Sequence, residues 1–119
     1  MEDQEKGKLE VIITAPAESF FYELLEYLYN HYSIDRAEEI ADELRDVARS
    51  LNYQSSRGTL EPRLGHLGEE HRFILYKRTS YAEVKVIYYI DEKKGVVYVT
   101  DFFPTEKDDI EIIKRSKID

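Results

Sequence analysis

The chain has 119 residues, 42% of them hydrophobic and 35% charged, and carries a net charge of −8. That length and apolar content suit one domain with its own core and are too small for two ordinary ones. The lack of cysteine excludes disulfides, thiolate chemistry and cysteine-ligated metal, and the acidic balance argues against the many phosphate contacts of non-specific nucleic-acid binding.

Met1 to Lys8 is polar, with no apolar stretch of signal-peptide length, and no later run approaches the ~20 apolar residues of a membrane span. The expectation is a soluble, cytoplasmic protein with no membrane partner, a flexible start over residues 1–8 and a single domain over 1–119. The charge is unevenly spread. Residues 1–53 hold 13 acids against 5 bases, residues 54–105 hold 7 against 8, and residues 106–119 hold 5 against 4. A surface in the second half can therefore attract an anion locally.

Leu9 to Thr14 is rich in β-branched residues and reads as a strand. Pro16 suits a helix start, with Thr14 as N-cap and Glu18 at the positive end of the helix dipole. The first helix is predicted from Pro16 to His31, with Phe21, Leu25, Leu28 and Tyr32 in one stripe that Phe20, Leu24 and Tyr27 widen. After Ser33-Ile34, Asp35 followed by Glu38 resembles a capping box. A second helix then runs to Leu51, its apolar positions Ala37, Ile40, Ala41, Leu44, Val47, Ala48 and Leu51 keeping helical spacing over two heptads. The short connection predicts an antiparallel hairpin.

Residues 52–70 contain Gly58, Pro62, Gly65 and Gly68 among polar residues without periodicity, and read as a long loop of the kind that often carries function. Three strands of an antiparallel meander follow at Arg72–Lys77, Val84–Asp91 and Val96–Phe103. The turn Glu92-Lys93-Lys94-Gly95 places glycine where a left-handed residue is needed. On the middle strand Val84, Val86, Tyr88 and Ile90 share one face, and Lys85, Ile87 and Tyr89 the other. Pro104 ends the last strand, and Thr105–Lys114 reads as a short helix capped by Thr105. The first strand must join the later sheet, having no other partner. The expectation is an α+β fold in the order β-α-α-β-β-β(-α), a helical hairpin on a small antiparallel sheet.

That order resembles the RelE/ParE superfamily of toxins from toxin–antitoxin modules. The resemblance rests on Thr14-Ala15-Pro16-Ala17 leading into the first helix and on Leu44-x-x-Val47-Ala48-x-x-Leu51 ending the second. It continues in Pro62-Arg63-Leu64-Gly65 ahead of His71-Arg72-Phe73, and in the strand Val86 to Asp91 with Val96-Val97-Tyr98-Val99 after the turn. It covers residues 9–115, and the ordered set is the signal, since no single motif is specific. It implies a small cytoplasmic toxin of a plasmid-stabilising or growth-inhibiting system, neutralised by a cognate antitoxin seated on an apolar groove. RelE-like members cut mRNA in the ribosome without a metal or cofactor, and ParE-like members inhibit DNA gyrase.

A metal-free ribonuclease needs a base, an acid and cations for the phosphorane. The resemblance points to Arg72 and Lys85 as the cations, with His71, paired with His66, and Lys107 as further candidates. After the last strand, where nuclease members offer arginine, histidine or tyrosine, this chain reads Phe102-Phe103-Pro104-Thr105-Glu106. That departure, with the acidic total, favours the ParE-like reading. The RelE-like nuclease and an inactive, antitoxin-binding homologue are the alternatives. Lys77 and Arg78 read as guards of a strand end, His31 as a charge on the helix C-terminus, and Asp108-Asp109 as N-terminal helix charge. The tyrosines of the first helix read as core or partner surface, and Tyr88 and Tyr89 point to opposite faces. There is no phosphate-binding glycine loop, zinc spacing or nucleophile elbow.

Overall fold

A computed structural model of the chain describes residues 8–77 and 83–117. The flexible start expected for residues 1–8 lies outside them except for Lys8, which forms an antiparallel bridge with Tyr53. Arg78 is also outside them.

Strand β1 spans Glu10–Ile13, helix α1 Ala15–His31 and helix α2 Ile34–Arg49. Thr14 caps α1 as its sequence suggests, its side chain accepting from the Ala17 N–H at 3.3 Å. The cap of α2 corrects the expectation. Ser33, not Asp35, accepts from the Arg36 N–H, at 3.1 Å, and Asp35 falls in the first turn. Glu38, the other half of the expected capping box, instead accepts from the Tyr29 hydroxyl at 3.2 Å. Two residues of helix decide this, because Ser33 has the extended backbone that a cap requires. Ser33→Ala is expected to cost about 1 kcal/mol in urea denaturation and Asp35→Ala less. The reverse order would return the cap to Asp35.

Residues 50–64 are more ordered than a loop. Single 3₁₀ turns at Ser50–Asn52, Ser55–Arg57 and Pro62–Leu64 frame a two-residue strand β2, Thr59–Leu60, that pairs with the next strand. Strand β3 is Arg72–Lys77, β4 is Glu83–Asp91 and β5 is Val96–Pro104, matching the meander to within a residue. Gly95 closes the β4–β5 turn with φ of +68°, the left-handed conformation anticipated there. Helix α3 is Ile110–Arg115. It is shorter than expected and not capped by Thr105, whose N–H donates to the Glu83 carbonyl at 3.0 Å.

The sheet is mixed, not antiparallel. Its order is β1-β5-β4-β3-β2, with β1 parallel to β5 and every other pair antiparallel. A helical hairpin between β1 and the sheet carries the chain back to the end where β1 began, which permits parallel pairing. Within β5 one extra residue enters the ladder. Ile87 faces Asp101 but Tyr88 faces Val99, leaving Thr100 unopposed. This bulge switches the side-chain parity of β5. Val97 and Val99 before it, and Phe102 after it, all reach the helical side.

The main core lies between the hairpin and that face. Phe21, Leu24 and Leu28 of α1 and Ile40 and Leu44 of α2 meet Val86, Tyr88, Val99 and Phe102. Phe21 and Phe102 meet edge to face at 5.1 Å. Burying one such side chain fully contributes about 1.5–3 kcal/mol. A smaller core, Leu64, Ile87, Phe103 and Ile112, forms on the opposite face under the third 3₁₀ turn and α3.

Candidate functional site

The residues singled out as cations lie on opposite faces of the sheet. Register decides this. Arg72 faces Tyr88, and Lys85 faces Leu75, so Arg72 shares the helical face with Ile74 and Tyr76, while Lys85 points to the outer face with Phe73. Arg72 Nη1 donates to the Gly58 carbonyl at 2.8 Å, and Nη2 lies 3.2 Å from Glu70. Its work is to tie the segment after α2 to the sheet. Lys85 Nζ lies 2.8 Å from Glu61 Oε1, whose side chain is wholly buried, and 4.4 Å above the Phe73 ring. Glu61 also accepts from the Arg63 N–H at 3.0 Å. The Lys85 charge is thus neutralised inside the protein, and the grip on one phosphate expected of Arg72 and Lys85 together is not formed.

His71 is buried beside Tyr89, with ring centroids 5.0 Å apart. His66 is exposed, and no hydrogen bond joins the two histidines. The Nδ1 of His71 lies 3.1 Å from the Glu69 carbonyl. Burial holds its pKa below the ordinary histidine value, with the charge of His66 adding to that direction. Lys107 sits on the other side of the sheet, in the turn after β5. The four candidates therefore do not converge on one site. Lys77 pairs with Glu83 at 3.6 Å, and His31 stacks on Tyr27 at 4.0 Å while contacting its carbonyl. Asp108 accepts from the Ile110 N–H at 3.2 Å, at the start of α3.

Lys107 borders a groove of about 310 Å3 along the middle of α1. Phe20, Leu24 and Tyr27 form one wall, Val84 and Pro104 the other, and Glu23 and Glu106 stand at the rim. Tyr27 is 41% exposed although it lies among apolar neighbours.

Arg115 stands between this groove and a second cavity on the outer face, and the sequence reading missed it. Its Nε and Nη2 meet the two carboxylate oxygens of Asp101 at 2.9 and 2.7 Å. Its guanidinium lies 3.9 Å from the Phe20 ring centroid and 5.2 Å from that of Phe103. A signal was available, since Asp101 is a charge among Val97, Val99, Phe102 and Phe103, and a buried carboxylate needs a partner. What the sequence lacked was the distance to α3.

Comparison with family models, with curated proteins and with solved structures returns no match. Among the described residues no helix is long and apolar enough to cross a membrane, and no three metal-ligating side chains converge.

Proposed function

We propose that the protein is the toxin of a toxin–antitoxin pair, of RelE/ParE type, and that it inhibits growth by occupying a protein surface, as ParE-like toxins do on DNA gyrase. The order of elements and motifs noted in the sequence supports the toxin assignment. One observation carries the choice of mechanism. Lys85 is neutralised by buried Glu61 and Arg72 faces the other way, so these two cations do not converge on one scissile phosphate. The apolar groove beside α1 is the surface that fits a cognate antitoxin, with Glu23, Glu106 and Lys107 at its rim to fix the register of the bound segment.

Because Arg72 and Lys85 brace the fold, loss of activity on replacing them would not identify catalysis. The test is to induce the chain in bacteria, map messenger 5′ ends and assay the purified protein against gyrase supercoiling. Growth arrest and inhibited supercoiling, without new ends in codon register, is the expected result. New ends in codon register would overturn the mechanism in favour of the endonuclease. Absence of arrest would leave an inactive, antitoxin-binding homologue.

A further inference from the structure

The outer face holds a cavity of about 370 Å3 that the toxin reading does not use. Leu64, Leu67, Ile87 and Ile112 give it apolar lining, and Thr14, Thr100 and Ser116 add hydroxyls that are each already bonded to a backbone group. Its charged members, Asp101 and Arg115, are joined by two hydrogen bonds, so the pair presents no net charge. Tyr89 lines the cavity, and its ring continues across the sheet to Tyr98, 5.3 Å away.

His71 supplies the polar group that such a cavity needs to select a ligand. A carbonyl only accepts, so the Nδ1 that lies 3.1 Å from the Glu69 oxygen carries the proton. In the neutral ring Nε2 is then a bare lone pair. Among the described residues no group donates to it. His71 lines the cavity, which leaves Nε2 as the ring atom able to accept from a bound molecule. A site with an unengaged imidazole acceptor, aromatic and apolar walls and a closed ion pair disfavours ions and favours a flat molecule with one N–H at its edge.

We infer that the outer cavity binds an uncharged planar heteroaromatic molecule whose ring N–H donates to Nε2 of His71, with its flat face against Tyr89. Indole is the probe, since the chain contains no tryptophan and indole emission can be followed directly in a titration. Saturable binding of indole is expected, with 1-methylindole, which fills the same space but has no N–H, about tenfold weaker, the loss of one hydrogen bond. His71→Phe should bind both with the same, weaker affinity. No saturable binding of indole, or equal affinity for the two compounds on the unaltered protein, would overturn the inference. So would a preference that survives in His71→Phe. Should that variant fail to fold, the comparison of the two compounds on the unaltered protein decides alone.

Discussion

Gly58→Ala is expected to destabilise the fold by about 2–4 kcal/mol, a cost beyond the usual helix or strand penalty of a glycine change. The backbone at Gly58 is ordinary extended chain, with φ of −73°, so conformational freedom is not the reason. Space is. A methyl group there would sit 2.4 Å from the Tyr88 hydroxyl oxygen and 2.8 Å from the Phe73 carbonyl oxygen. Neither neighbour is free to yield. The Tyr88 hydroxyl donates to the Ser55 carbonyl at 2.6 Å and accepts from the Gly58 N–H at 3.0 Å, and Phe73 is held in β3. Burial raises the pKa of that phenol, against the favourable charges of Arg72 and Arg57, so it stays protonated and able to donate. Tyr88→Phe should cost about 1–3 kcal/mol by leaving the Gly58 N–H and the Ser55 carbonyl without their partner. The double variant should be less destabilised than the sum of the two, since removing the hydroxyl relieves the nearer clash. Urea denaturation of the four proteins measures this coupling, and strict additivity would contradict it.

Arg115→Leu is expected to be as severe, about 3–5 kcal/mol, because it strands Asp101 inside the protein. Asp101 is only 5% exposed. Its pKa is raised: desolvation by burial is the largest cause, and the two bonds from Arg115 oppose it without cancelling it. The ionised pair is thus tolerated more than it is favoured. The double change Asp101→Leu with Arg115→Leu should accordingly recover most of the loss. The sign of the pH dependence follows from the raised value. A carboxyl that holds its proton more tightly in the folded chain contributes most below the unfolded carboxylate range, and that contribution is lost as pH rises through the folded value. Acidification from neutral pH should therefore raise the stability of the natural chain relative to the double variant. A relative loss on acidification would show that the pair's attraction outweighs its desolvation.

Much of this was legible in the residues themselves. The helical stripes of Phe21, Leu28, Ile40 and Leu44 placed both helices, and the alternation of Val84, Val86 and Tyr88 against Lys85 and Ile87 fixed the two faces of β4. Strand β3 was different. Arg72, Ile74 and Tyr76 on one face and Phe73, Leu75 and Lys77 on the other each mix polar with apolar residues, so parity alone could not orient Arg72. Only pairing with β4 does. Strand β2 is too short for any periodic signal, and Glu61, the partner of Lys85, lies in the segment that looked irregular. The parallel placement of β1 escaped for a related reason, since a single four-residue strand carries no mark of its neighbour's direction.

That placement has a consequence for the order in which the molecule is made. On a ribosome β1 emerges well before its strand partner among the described residues, Val96–Val99 of β5. Thr14, which caps α1, also waits to donate its N–H to the Val99 carbonyl. The helical hairpin can form early from local contacts, but one edge of the finished sheet must close across the whole stretch from β1 to β5. A nascent chain stopped before β5 should therefore hold helices without a sheet beneath them and expose the apolar faces of both. The sheet is completed, and any activity with it, only once β5 has been made.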